Sequence, residues 1–161
     1  MQLKDFGIRP IITGDIPRVV LLIEQCVFES CRTVYDADEL SYWASLYSEE
    51  KFCEYTQEWN FWVLCDKNAK IKGCVGIYNN VLKGLFVEPS CQGVGFGKKL
   101  LEFAESYAKE KGVKKIILDA SPNAVRFYEK NGYYMLGKRL YATGIQNGCL
   151  NVMRMEKNIL H

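Results

Sequence analysis

The sequence predicts an α+β fold, a mixed and mainly antiparallel sheet of about seven strands flanked by about four helices, in one domain over residues 1–161. Three observations predict it. Hydrophobic periodicity follows the order strand, two helices, three strands, helix, strand, helix, two strands. The three consecutive strands are joined by short connections, which makes them antiparallel neighbours. A whole helix then separates the last of them from the next strand, as a parallel crossover requires.

Each element has its own signal. "FGIRPII" (Phe6 to Ile12) reads as a first strand, and its proline removes a ladder donor, which suits a sheet edge. From Asp15 to about Ser30, Ile16, Val19, Val20, Ile23 and Val27 recur at helical spacing. "YDADELSYWASLY" opens a second helix, with Asp36 as N-cap and Glu39 three residues on as a capping box. "WNFWVLC", "IKGCVGIY" and "VLKGLFV" form the meander, turning at "DKNAK" and at Asn79–Asn80, and Gly84 inside its third strand marks a bulge. Leu100, Leu101, Ala104, Tyr107 and Ala108 make one apolar stripe that Gly112 ends. "KKIILDA" is the fifth strand. "SPNAVRFYEKNG" is a helix with Ser121 as N-cap, Pro122 in its first turn and Gly132 as stop. Two last strands, roughly Tyr133 to Ala142 and Cys149 to Glu156, are joined through "GIQNG".

Bulk properties narrow the function classes. Lys and Arg total 21 against 19 Asp and Glu, a net charge of +2, so no sequence-wide basic footprint points to nucleic acid or a membrane surface. The longest aliphatic run, "VVLLI", is far too short to span a bilayer. The start, "MQLKDFGIRP", lacks the apolar core of a secretion signal. Seven cysteines, an odd count with no Cys-x-x-Cys pair, give a metal site no ligand spacing. They read instead as free thiols in a reducing, cytoplasmic setting, most of them small buried hydrophobes.

The stretch "FVEPSCQGVGFGKKLLEF" is the most informative. Gly93, Gly95 and Gly97 precede a helix that opens with Lys98 and Lys99, although cations are unfavourable at a helix N-terminus. A glycine turn at that place offers unpaired backbone N–H groups to an anion, which would cancel the conflict. Glycine spacing alone fits a tight turn with solvated lysines equally well. A dinucleotide fold would want Gly-x-Gly-x-x-Gly and a following acid. Asp119 falls about where that acid belongs, but the glycine spacing and the antiparallel strands before it do not fit.

Gln92-Gly93-Val94-Gly95-Phe96-Gly97 resembles the Gln/Arg-x-x-Gly-x-Gly/Ala signature of the GNAT superfamily of acyl-CoA-dependent N-acetyltransferases. "NAVRFYEKNGY" is similar to the second signature of that family, and together the two cover Val81 to Tyr133. The resemblance implies acetyl-CoA as cosubstrate and acetyl transfer to an amine of a small molecule or peptide. It places the pyrophosphate on backbone amides from Gln92, Gly93, Val94, Gly95, Phe96, Gly97 and Lys98. It places the pantetheine arm along Leu85, Phe86 and Val87, with Asn123 touching it, while Ser121 caps its helix.

Tyr128 matches the general acid, protonating the leaving thiolate, and the Leu85 N–H would hold the oxyanion. Helical spacing by itself would make Tyr128 a core ring beside Phe127. No acidic residue lies between Asp66 and Glu88, and Asn80 stands near where some members carry a basic glutamate. Asp36, Asp38 and Glu39 are candidate amine-side contacts that also read as a helix start with its cap, and Tyr35, Trp43 and Tyr78 are candidates to line an acceptor pocket, with core packing the competing role for Trp43. The final strands could offer an edge for a homodimer. A module that binds acyl-CoA without turnover is the alternative function, motivated by the missing strand glutamate.

Overall fold

The computed structural model describes residues 3–143 and 148–160. Seven strands form one sheet: β1 (Phe6–Pro10), β2 (Asn60–Asp66), β3 (Ile71–Tyr78), β4 (Val81–Val87), β5 (Lys115–Ala120), β6 (Tyr134–Ala142) and β7 (Cys149–Asn158), in the spatial order β1-β2-β3-β4-β5-β7-β6. Only β4 and β5 run parallel; the other neighbours are antiparallel. The proline-bearing β1 is an edge strand, as the sequence predicts, though it stops at Pro10 rather than Ile12. Most of the connection predicted between β6 and β7, residues 144–147, lies outside the described residues, as does His161.

Five helices flank the sheet: α1 (Ile16–Ser30), α2 (Ala37–Ser45), α3 (Glu49–Glu58), α4 (Phe96–Glu110) and α5 (Val125–Lys130). The sequence predicts four, and α3 is the addition. Phe52 is its only buried residue, and four of its ten residues are glutamates, so its apolar period is too thin to stand out. Ser48 starts it, its side chain accepting from the Lys51 amide at 3.4 Å. The capping box of α2 forms as predicted: the Glu39 amide donates to Asp36 at 2.9 Å and the Asp36 amide to Glu39 at 2.8 Å.

The predicted stops are also present. Past α4, the Gly112 amide bonds Lys109 and the Val113 amide bonds Ala108, a Schellman closure with Gly112 at φ +78. Past α5 the same pattern joins Gly132 to Glu129 and Tyr133 to Tyr128. Ser121 departs from expectation. Pro122–Ala124 form a 3₁₀ turn before α5, and the Ser121 side chain makes no capping bond.

The sheet separates two cores. Leu100, Leu101 and Ala104 of α4, Tyr128 of α5, and Ile116, Leu118 and Met155 of the sheet pack on one side. Val19, Leu22 and Ile23 of α1, Phe52 of α3, and Val63, Cys74 and Val152 pack on the other. Each fully buried leucine contributes roughly 1.5–3 kcal/mol, so the two layers hold the sheet from both faces.

Between them, β4 carries an irregularity. Cys74 faces Phe86 and Gly76 faces Lys83, so Gly84 and Leu85 together stand opposite Val75. Gly84 has φ +64, which a side chain would strain, and a Cβ there would lie 3.1 Å from Phe61. The bulge predicted at this glycine is present.

Candidate active site

The site is built by a strand pair that separates. β4 and β5 are matched at a single position, Val81 with Ile117, and the Ile117 amide donates to the Asn80 carbonyl at 2.9 Å. Beyond that vertex the strands diverge, so the side of β4 from Leu82 to Val87 that faces β5 has no strand partner. A wedge of this kind leaves backbone donors and acceptors for a ligand, since unpaired peptide groups need partners.

At the open end, β4 runs through a 3₁₀ turn (Pro89–Cys91) into the glycine turn and α4. Gly93 is at φ +78, and a Cβ there would meet no heavy atom within 4 Å, so the turn is open at this point. Gly95, at φ +96, is the N-cap of α4, and the Lys99 amide closes the first helical bond onto its carbonyl at 3.0 Å. The amides of Gly95, Phe96, Gly97 and Lys98 therefore precede the helical ladder and have no partner within it. Gly97 has a different reason: a Cβ there would meet the Phe127 ring at 3.3 Å, so its smallness lets α5 approach.

Side chains of the turn divide into anchors and free groups. Phe96 is buried against Phe6, with ring centroids 4.5 Å apart. Gln92 donates through Nε2 to the Val87 carbonyl and to Ser30 Oγ, both at 3.0 Å, and its own amide is taken by Pro89. Val94 is exposed. Lys99 donates to the Phe6 carbonyl, so it ties α4 to β1, whereas Lys98 is exposed with Glu102 3.7 Å away. Only one of the two lysines that open the helix thus remains available at the turn.

Tyr128 comes up from α5. It is 7% exposed, and rings of Phe127 and Tyr133 meet it edge-on at 5.0 and 5.6 Å. Burial raises its phenol above the ordinary value, so it stays protonated at neutral pH. Asn123 donates through Nδ2 to the Ser30 carbonyl at 3.0 Å and approaches Cys31 Sγ at 3.8 Å. Gln92 and Asn123 thereby both clasp the end of α1. Thiols attend the strand as well: Cys26 donates to the Val87 carbonyl at 3.0 Å and Cys74 to that of Gly84 at 3.4 Å. Burial pushes Cys26 up to about 12, so it is an inert hydrogen-bonding hydrophobe.

On the α1–α3 side, Phe86 meets Tyr47 edge-on at 5.5 Å and Trp43 at 6.1 Å. Trp43 meets Tyr35, whose hydroxyl donates to the Asn151 carbonyl at 2.5 Å. Of the acceptor candidates, Tyr35 lines this ring cluster, Asp36 serves the α2 cap, and Tyr78 stands half-exposed at the closed end, paired with Val81 and next to Trp59. Tyr47 was not signalled by the sequence; it lies in a turn between two helices, where no periodicity applies.

A polar cluster also went unsignalled in the sequence. Arg154 on β7 grips Asp119 at the end of β5 with two bonds of 2.6 and 2.7 Å, and the Tyr141 hydroxyl adds a third at 2.5 Å. Burial alone would raise the Asp119 carboxyl, but those bonds overcome it and leave it below the usual range. Alternation places Asp119 and Arg154 on the α1–α3 face, since Leu118 and Met155 belong to the other core.

Comparison with known proteins identifies the architecture. The model of the acetyltransferase (GNAT) domain matches residues 31–157. The chain belongs to the GNAT acetyltransferase family. Among structures, a GCN5-related N-acetyltransferase from Rhodopseudomonas palustris superposes with a TM-score of 0.89 at 21% identity, covering 98% of both chains. The Thermoplasma acidophilum PaiA N-acetyltransferase, solved with coenzyme A, gives 0.78 at 22% identity over 95% of this chain and 98% of that one.

By sequence, the chain is 42% identical over 60 residues to serotonin N-acetyltransferase 2, chloroplastic, of Oryza sativa subsp. japonica, 37% of this chain and 30% of that protein. It is 28% identical over 90 residues to the peptidyl-lysine N-acetyltransferase YjaB of Salmonella typhimurium, 56% of this chain and 61% of that one. The chain thus matches less than two thirds of the length of these relatives. No helix among the described residues is long and apolar enough to cross a membrane.

Proposed function

We propose that this chain is an acetyl-CoA-dependent N-acetyltransferase that moves the acetyl group to a primary amine of a small molecule or peptide by direct attack. The observation that carries this reading is the wedge between β4 and β5 opening onto a glycine turn at the start of α4. Two relatives by fold are described in complex with coenzyme A or AcCoA, and relatives by sequence are named for serotonin, glucosamine 6-phosphate and peptidyl-lysine as acceptors.

The residues present fit such a cosubstrate. Left-handed Gly93 and Gly95 keep side chains out of the turn, and the amides from Gly93 to Lys98 are suited to a diphosphate at the positive end of α4. The amide of Gln92 is already bonded, so Gln92 contributes by holding Val87 and Ser30 instead. Leu85, Phe86 and Val87 offer the strand edge for an extended pantetheine arm, and Asn123 fixes the neighbouring end of α1. Bound there, acetyl-CoA would supply an acyl group already activated as a thioester.

The protein groups have separate tasks. The Leu85 amide donates to the oxygen that becomes negative as nitrogen attacks, a contact of value only in the transition state. Tyr128 gives its phenolic proton to the departing sulfur as the C–S bond breaks and the C–N bond stands. The proton shed by the nitrogen returns through solvent. Proton transfer from a phenol to a thiolate is uphill by about 1.5 pKa units in water. Burial raises the proton affinity of both partners together. The chain's own contribution to this mechanism is thus a set of backbone amides and one phenol.

Thiol release from acetyl-CoA with a panel of amines tests the reading, together with calorimetric titration of coenzyme A. Amine-dependent release supports it. Coenzyme A binding without release across polyamines, aminoglycosides, amino acids and peptides would instead favour an acyl-CoA-binding module. The absence of any carboxylate between Asp66 and Glu88 is the observation on that side.

A further inference from the structure

The wedge opens the sheet between its two layers. Tyr128 arrives from the α4–α5 core, and Tyr47, between α2 and α3, packs with the α1–α3 core. The Tyr47 ring lies edge-on to Phe86 of the splayed strand at 5.5 Å and to Tyr55 at 6.4 Å. Tyr47 is therefore, with Trp43, a ring of the α2–α3 segment that packs on the splayed strand.

The surroundings of Tyr47 have a definite chemical character. Tyr35, Trp43, Tyr47, Tyr55 and Phe86 form a continuous chain of ring contacts without a charged member. The segment that carries it is strongly acidic outside: residues 33–59 hold seven carboxylates and a single lysine. An acidic segment of this kind repels phosphorylated acceptors and draws in ammonium ions. Inside, rings favour an aromatic body over a second ammonium, which would need its own buried counter-charge.

We propose that Tyr47 is the acceptor-side specificity residue of this site and that it selects an arylalkylamine, a primary amine on a short chain borne by an aromatic ring. The proposal rests on the N-acetyltransferase reading above. The acidic segment gathers the cation, the ring cluster takes the aromatic body, and the nitrogen is presented along Phe86 to the wedge beside β4.

The test compares kcat/KM at saturating acetyl-CoA for 2-phenylethylamine, tryptamine, spermidine, glucosamine 6-phosphate and a lysine peptide. The aromatic amines should lead by about tenfold or more, the scale on which an apolar pocket discriminates. Tyr47→Ala should raise KM for 2-phenylethylamine about tenfold while KM for acetyl-CoA stays within twofold, and Tyr47→Phe should keep the wild-type KM because the ring remains. Melting curves check folding, and Tyr47→Leu, which keeps most of the volume, stands in if the alanine variant does not fold. Preference for spermidine, the sugar phosphate or the peptide overturns the proposal, as does an unchanged amine KM in folded Tyr47→Ala or Tyr47→Leu. A wild-type protein that acetylates no amine at all overturns the transferase reading, and this proposal falls with it.

Discussion

The two sides of the sheet reach the wedge with different materials. On the α4–α5 side the candidate contacts are peptide groups: left-handed glycines, the first amides of α4, and the edge of β4. On the α1–α3 side they are side chains, a run of rings on Tyr35, Trp43, Tyr47 and Phe86. A site made of backbone constrains residue type tightly, because only glycine takes those dihedrals without strain. A site made of rings accepts many orders and spacings, since Phe, Tyr and Trp all supply apolar area. One side can therefore stay fixed on a common cosubstrate while the other is free to follow the acceptor.

The strongest way to break this contrast is at the one side chain assigned a chemical step. Tyr128→Phe should lower kcat about a hundredfold, within the usual range for a general acid, and leave coenzyme A affinity within twofold. An unchanged kcat would return Tyr128 to a packing role beside Phe127 and Tyr133. Next comes the backbone side itself. Gly95→Val, at φ +96, should weaken coenzyme A by about thirtyfold, the equivalent of roughly 2 kcal/mol of left-handed strain, and dephosphorylated pantetheine far less. Equal losses measured by calorimetry for both would mean that the turn does not hold the diphosphate.

Smaller effects sharpen the comparison. Asp119→Asn should lower stability by about 1.5 kcal/mol, or about 5 °C in Tm, by weakening the charge-assisted bonds from Arg154. Asp119, Asp15 and Glu88 all lie below their usual carboxyl values in the folded chain. Their contribution is complete above the unfolded value near pH 4 and is lost as pH falls through the folded values, so denaturant midpoints should be flat from pH 5 to 7 and drop below about pH 4. Smallest of all is an effect expected to be absent. Because burial raises Tyr128, kcat should show no alkaline limb from loss of this proton up to about pH 10, and a fall centred near pH 9 in stopped assays would contradict the assignment.

Much of this architecture was legible because its signals are local. The capping box at Asp36 and Glu39, the stops at Gly112 and Gly132 and the bulge at Gly84 each depend on a few adjacent residues, and each is present. The glycine turn was readable for the same reason. Helix α3 was not, since one buried phenylalanine among glutamates leaves no stripe to detect. Ser121 had the residue type and spacing of a cap, yet the chain enters α5 through a 3₁₀ turn and its side chain makes no capping bond. The Asp119–Arg154–Tyr141 cluster and the Tyr47–Phe86 contact join residues 13 or more positions apart, so only the folded sheet brings them together.

Gly84 has one more effect, on the phase of its strand. Leu82 and Phe86 are four apart, and uninterrupted pleating would turn both toward α4; instead Leu82 joins the α4 core and Phe86 the α1–α3 core. The inserted residue splits β4 into two half-strands with opposite orientation. Shortening the chain by this one position would turn the Phe86 ring to the other layer, stripping Tyr47 and Trp43 of their neighbour. A single glycine thus decides which layer of the molecule the end of β4 addresses.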